Sequence, residues 1–402
     1  MPYSQFIMLV DVRQIIRLLF IVVLSASCSK LDVYLAKNFF TFSPMLVVIF
    51  ICISVALIGA LSGRSFFSGR YFLAVSCFFL LVGLVEVVQA FDVGGNGAIF
   101  IDYLLILSYL LFFFTTGILI RWGVISVLPI IYISFFLVVG SVIFEGFNPG
   151  VFSKTFYRAA GFPENSNSSA LIICVSIVFV LNYTKLLFKD SFILGLAFVA
   201  LLLCASRAGI LVYIFIVLAW FLSIYLRLPL AARFNFFIRI GVGVWVAVVA
   251  FSIIVDRSEI FQSEATRNRV VLPGQMYVEN MDKTRVNVLA AYLSEIDKCF
   301  PFPCGVDRYY ASEKHSHNTS VNYAYKYGLI FILFALLPLF VLFVYSRMFR
   351  SNLGADDAVR IVIFVLSLVL FSFVNNDIYS NKIVLLVMAY FFCNPKTSRR
   401  IE

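Results

Sequence analysis

The stretch "IFIDYLLILSYLLFFFTTGILI", residues 99–120, decides the fold class. Crossing a hydrocarbon layer about 30 Å thick takes about 20 mostly apolar residues in a helix, and this run supplies them without interruption. Its apolar positions do not alternate with polar ones, so it is not a strand of a transmembrane barrel. Comparable runs recur along the whole chain. Of its 402 residues 62% are hydrophobic and 13% charged, and the mean hydropathy is +1.01. An ordinary soluble domain carries about 25% charged residues. A water-soluble fold has no way to hide this much apolar surface, so the solvent must be lipid. The expected class is an all-α, polytopic membrane protein.

About twelve spans are expected: 14–28, 39–62, 71–90, 99–120, 124–144, 169–187, 191–205, 209–226, 240–255, 328–345, 361–373 and 383–393. The first lacks a clear small-residue cleavage site and is read as a span, not a signal peptide. The formal net charge of +10 does not point to nucleic acid, because the basic residues are scattered among short loops. Arg13, Arg17, Arg64, Arg70, Arg121, Lys185, Lys189, Arg227, Arg233, Arg239, Arg347, Arg350, Arg360, Lys396, Arg399 and Arg400 fall at the termini and in alternate loops. The intervening "FDVGGNGA" (91–98) has no Lys or Arg. The positive-inside rule then puts both termini in the cytoplasm. The chain reads as one transmembrane domain, 1–402, with two longer outer segments, 145–168 and 256–327. The second holds nine Lys/Arg and nine Asp/Glu, and long loops translocate largely regardless of charge.

Candidate chemistry gathers in these outer segments. Arg207, in "LCASRAGILVY" (203–213), joins two apolar runs with almost no loop. A cation at that depth needs an anionic partner or a wet cavity, or it snorkels to the interface. The adjoining Gly209 permits close approach of another backbone or a lipid. In "DKTRVNVLAAYLSEIDK" (282–298), Val286, Leu289, Ala290, Leu293 and Ile296 recur at helical spacing. An amphipathic helix is expected there, over the bundle or on the outer leaflet, with Arg285 near its start. The tight turn "CFPFPCG" (299–305) follows, and Cys299 and Cys304 either pair in an oxidising compartment or remain free. The other cysteines, Cys28, Cys52, Cys77, Cys174, Cys204 and Cys393, read as small core residues.

"EKHSHNTSVNYAYKYG" (313–328) contains both histidines of the chain, His315 and His317. Ser316, Asn318 and Thr319 are helix-capping types. His317 is therefore expected in the first turn of a helix that continues into the membrane, with Val321, Ala324 and Gly328 on its face. A helix N-terminus disfavours positive charge and is hospitable to phosphate. A neutral imidazole there is a candidate general base. The segment "KTFYRAAGFPENSNSSA" (154–170) offers Lys154, Arg158, Glu164, Asn165 and Asn167, which suit a sugar or phosphate or serve as an ordinary polar loop and cap.

Taken in order, "SRAG" at the outer end of a span, an arginine opening a loop helix, a Pro-Gly turn, and "HN" nine residues before a glycine resemble the O-antigen ligase and polymerase superfamily of bacterial envelopes. "TRVNVLAAYLSEIDKCFPFPCGV", "HNTSVNYAYKYG" and "RAAGFPENSNSSA" carry the resemblance over about 155–335, with Ser166 where a proline is usual. The resemblance implies a metal-independent glycosyltransferase without cofactor in the bacterial inner membrane. It would move a glycan from undecaprenyl diphosphate to a sugar hydroxyl at the periplasmic face. The acceptor would be lipid A core or another repeat unit, with a chain-length regulator among candidate partners. Arg207 and Arg285 would stabilise the departing diphosphate, His317 would be the base, and Arg158, Asn165 and Asn318 would bind substrate. A transporter or glycan flippase without chemistry is the competing reading, kept open by Glu86 and the glycine-rich "FDVGGNG".

Overall fold

The computed structural model describes residues 3–39, 48, 49, 51–55, 77, 80, 84, 97–153, 158–185, 187–229, 233, 238, 249, 252, 275–299, 302–312, 316–328, 336–348, 355–375 and 377–393. Among these residues every regular element is a helix. In chain order they are α1 (Tyr3–Cys28), α2 (Leu31–Asn38), α3 (Gly97–Arg121), α4 (Val127–Phe147), α5 (Ser166–Val180), α6 (Phe188–Leu203) and α7 (Arg207–Tyr225). There follow α8 (Gln275–Cys299), α9 (Val306–Ala311), α10 (Thr319–Tyr327), α11 (Leu337–Met348), α12 (Ala355–Ser372) and α13 (Lys382–Cys393).

Among the described residues three helices are long and apolar enough to cross a membrane: Asp102–Arg121 within α3, Val127–Phe147 and Arg207–Tyr225. They match the expected spans 99–120, 124–144 and 209–226. A fourth arises if Gln14–Cys28 and Leu31–Asn38 are one broken span, bent by 76°. The bend is at Lys30, which has a left-handed backbone with φ 60. The expected spans 71–90 and 240–255, and most of 39–62, lie outside the described residues, as do Glu86 and "FDVGGNG".

The packing of α7 explains why the solvent is lipid. Gly209, Val212, Ile216, Trp220 and Ile224 form its buried stripe, while Leu211, Ile214, Leu218 and Leu222 face outward and exposed. Both faces are apolar, so the outward one must lie against hydrocarbon or a partner. α5 and α13 are different. Every residue of α5 except Asn167 is buried, and so is nearly all of α13. Each is apolar all round and occupies the interior of the bundle. At 1.5 Å per residue they reach only about 22 Å and 18 Å, short of the hydrocarbon thickness. α4, α6, α7 and α12 surround α5, and α3 packs along α13. Close packing at α5 and α7 relies on Gly209, where a Cβ would come within 2.6 Å of the Ala170 Cβ. The close approach expected at "SRAG" is therefore made by another helix.

A second, separate core is built by α8, α9 and α10. It comprises Tyr292, Ile296, Cys304, Tyr309, Val321, Ala324 and Tyr325, with Val288, Leu289 and Cys299 against it. The amphipathic helix expected over 282–298 is present and starts earlier, at Gln275. Its buried face differs from the expected one: Ala290 and Leu293 are exposed, and Tyr292 takes the central place. A tyrosine ring counts as apolar surface here because its hydroxyl finds partners at the edge. The expected turn is also present, closed by a hydrogen bond from the Phe302 N–H to the Cys299 carbonyl, 2.9 Å. Cys299 and Cys304 are joined as a disulfide. Cys28, Cys174, Cys204 and Cys393 are buried, Cys52 is half-buried, and Cys77 is exposed, contrary to its expected core place.

Candidate functional site

The segment between α4 and α5 is held by a residue that no motif marked. Glu145, near the end of α4, is fully buried. Its carboxylate accepts backbone N–H bonds from Phe152 (3.1 Å), Ser153 (2.6 Å), Ala160 (2.6 Å) and Gly161 (2.8 Å). Four donors replace the water a buried carboxylate gives up. Gly161 is required twice over. Its φ is +59, and a Cβ would meet the Ser141 Oγ at 2.3 Å.

This fold of the loop delivers Arg158. Its Nε donates to the Cys204 carbonyl at 3.1 Å and its Nη2 to Asn167 Oδ1 at 3.1 Å. Asn167 Oδ1 also accepts from the Ser206 hydroxyl at 3.0 Å. Ser206 caps α7, accepting from the Gly209 N–H at 3.3 Å. Arg207, the first residue of α7, is exposed beside this cluster. Arg158, Asn167 and the start of α7 are thus brought together. Asn165 caps α5, its side chain accepting from the N–H groups of Asn167 and Ser168. Glu164 is ion-paired with Lys37. Lys154 lies outside the described residues.

His317 lies just before α10, a helix of the second core. The expected first-turn position is corrected. Asn318 is the N-cap of α10, accepting from the Val321 N–H at 3.1 Å, and His317 precedes it, exposed. The helix does not continue into the next run either: it ends at Gly328, with φ 108 and ψ 161. His317 and Gly328 therefore bracket α10, while Val321 and Ala324 face its core. Ser316 and Asn318 are equally good capping types, and it is Asn318 whose side chain receives the Val321 N–H and so sets the boundary. α8, which carries Arg285, packs against α10. The Arg285 side chain and His315 lie outside the described residues.

Sequence reasoning missed the group that seats this core. Asp102, near the start of α3, is fully buried. It accepts from Lys326 Nζ at 2.8 and 3.1 Å, from the Tyr310 hydroxyl at 2.6 Å and from the Tyr327 hydroxyl at 2.8 Å. Lys326 Nζ also lies 4.4 Å from the Tyr309 ring centre and 4.9 Å from that of Tyr310. One carboxylate and two aromatic faces thus neutralise a largely buried ammonium. The available signal was an aspartate inside the 99–120 run, since an acidic residue in an apolar span demands a partner.

Separate polar contacts, carried on neighbouring residues of the same loops, lie between the two regions. Lys30 Nζ reaches the Ser168 hydroxyl at 3.5 Å, next to Asn167. Asp32 accepts from Ser27 and from Lys382 Nζ, each at 2.9 Å. The loop before Lys382 carries Asp377, which accepts from the Tyr109 hydroxyl at 3.1 Å. Burial raises the Asp377 carboxyl above its ordinary value, against the opposing effects of the Tyr379 N–H, Lys326 and Tyr109. From the same loop the Asn375 carbonyl accepts the Thr319 hydroxyl at 2.8 Å, two residues from His317.

At the opposite end of the bundle, Arg227 pairs with Asp356 at 2.6 Å, Arg360 donates to the Leu181 carbonyl at 3.2 Å, and Trp220 Nε1 donates to the Asn182 carbonyl at 2.7 Å. Arg158, Arg207, Asn318 and His317 therefore share one end. Such an end can present guanidinium groups to an anion and an imidazole to a hydroxyl proton. Comparison with known proteins adds no assignment: neither a protein-family profile nor a curated protein matches the chain.

Proposed function

We propose that this chain is a membrane glycosyltransferase of the O-antigen ligase and polymerase type, moving a glycan from undecaprenyl diphosphate to a sugar hydroxyl. The observation that supports this reading is that Arg158, Arg207 and His317 stand on elements ending at the same end of an apolar bundle, as follows from the Arg158–Asn167, Lys30–Ser168, Lys382–Asp32 and Thr319–Asn375 contacts. In the reaction the acceptor oxygen bonds to the glycan's anomeric carbon as its proton passes to His317. The bond from that carbon to the diphosphate breaks, and the electron pair leaves with the diphosphate. Arg207 and Arg285 meet the charge that develops there, which is where fixed donors lower a barrier most. Asn165 and Asn318 hold the helix starts that frame the site, and Arg158 is the substrate-binding cation.

Orientation rests on two further features. The Cys299–Cys304 bridge suits an oxidising compartment such as the periplasm. Arg121, Lys185, Lys189, Arg227 and Arg360 lie at the opposite end of the bundle, as expected of a cytoplasmic face. Both termini would then be cytoplasmic, within a twelve-span topology. The transporter reading draws on the buried pairs Asp102–Lys326 and Asp32–Lys382. Both stand at helix ends and serve to join elements, whereas a translocation site belongs near the midplane.

The test is deletion in the native host, with the surface polysaccharide resolved on a gel. Loss of all glycan from lipid A core identifies a ligase, and retention of a single repeat unit identifies a polymerase. An unaltered profile discards the reading.

A further inference from the structure

The second core has an open groove of about 950 Å³ between α8 and the pair α9 and α10. Its lining has two chemically distinct parts. Tyr292 and Tyr325 are buried rings with centroids 4.7 Å apart, and they form the floor. Asn287, Glu295, Lys298 and Arg308 are exposed and form the rim. The Tyr325 hydroxyl donates to Glu295 Oε2 at 2.5 Å, which fixes floor to rim. The Cys299–Cys304 bridge closes the wall behind them, and the Cys304 N–H donates to the Tyr325 carbonyl at 3.0 Å.

This combination selects among ligand classes. A lipid tail would desolvate Asn287, Glu295 and Arg308 without replacing their hydrogen bonds. A diphosphate would find Lys298 and Arg308 on the rim, but it would meet the Glu295 carboxylate as a like charge and leave the two tyrosine faces of the floor uncovered. A sugar ring satisfies both parts. Its C–H face packs on the electron-rich face of a tyrosine, and its hydroxyls, each donor and acceptor, match an amide, a carboxylate and a guanidinium around the edge. The volume lies at the upper end of the range for ligand sites, about 300–1,000 Å³, and suits an oligosaccharide. α8 adds a positional argument, because Arg285 stands one turn before Val288 on the helix that forms one wall.

We propose that this groove binds the oligosaccharide portion of a glycan substrate. The identity of that ligand as substrate rests on the transferase reading above, whereas the groove's affinity for sugar does not. The test uses the full chain in lipid nanodiscs. The probe is the lipid-free oligosaccharide released by mild acid from the host's own surface glycolipid. Binding is measured by calorimetry in the absence of turnover.

The wild type should bind saturably, and the double variant Asn287→Ala/Arg308→Ala should bind roughly tenfold or more weakly. Both residues are exposed, so the variant keeps its fold. Lys185→Ala, at the far end of the bundle, should stay within about twofold of wild type. No saturable binding by the wild type, or undiminished binding by the double variant, overturns the groove. The reaction fails separately: a chain that binds the oligosaccharide through Asn287 and Arg308, yet releases no undecaprenyl diphosphate, keeps the groove and loses the transferase. Turnover with both donor and acceptor KM unchanged in the double variant does the reverse.

Discussion

The two cores of this molecule use aromatic side chains differently. The large core combines aliphatic residues with both kinds of ring: Phe112, Phe113, Phe135, Phe364, Phe371 and Phe391 are buried, and so are Tyr109, Tyr183, Tyr323 and Tyr379. The small core turns on Tyr292, Tyr309 and Tyr325, with Tyr310 and Tyr327 at its seam with α3. Tyr183 of the large core bonds within it, to the Val178 carbonyl, whereas the tyrosines of the small core and its seam reach carboxylates, Asp102 and Glu295. The difference teaches that the small core, with fewer residues to pack, depends more on the polar bonds at its edge. The small core is accordingly the part that individual polar substitutions should loosen.

The largest effect is expected at Glu145, where polar fastening also holds a loop against the large core. Glu145→Ala leaves four backbone donors without their acceptor, at about 1–3 kcal/mol each, so the loss should exceed about 4 kcal/mol. Thermal unfolding in detergent measures it, and an unchanged midpoint would mean that the loop is held by packing after all. Asp102→Ala comes next. It strands Lys326, and breaking a buried pair costs about 3–5 kcal/mol. Hydrogen exchange should then rise in α9 and α10 and stay low in α5. Uniform exchange across both cores would erase the distinction between them. The smallest effect is expected for Cys299→Ser/Cys304→Ser. The bridged loop is short, with a sequence separation of 5, so the loss falls near the low end of the usual range, about 2 kcal/mol. Limited proteolysis should find new cleavage near residues 299–305 alone.

The contrast also marks what could be read from sequence. α3, α4 and α7 were legible because a span is a local property: length and hydropathy suffice. The start of α5 was legible through its capping residues. The burial of α5 and α13 was not, since an all-apolar helix looks the same facing lipid or facing other helices. The amphipathic α8 is legible, but its inner face is only partly so, because the pattern of Val286, Leu289, Ala290, Leu293 and Ile296 leaves out Tyr292. His317 stands just ahead of the cap and not inside the first turn, since serine, histidine and asparagine are consecutive and only geometry picks out Asn318 as the cap. Asp102 and Lys326 are 224 residues apart, and Lys37 and Glu164 are 127 apart. No spacing rule connects them. They are legible only as charges that must find some partner, without saying which.

The central claim is chemical: His317, at the head of α10, takes a proton from an acceptor hydroxyl while a lipid diphosphate leaves. The most direct measurement follows release of undecaprenyl diphosphate from the host's lipid-linked glycan by the purified full chain in nanodiscs, with and without acceptor. The account predicts acceptor-dependent release by the wild type, and a fall of about 100-fold or more in His317→Ala, the usual share of a general base, with the thermal midpoint unchanged. No release by the wild type, or release by His317→Ala at the wild-type rate, would contradict it.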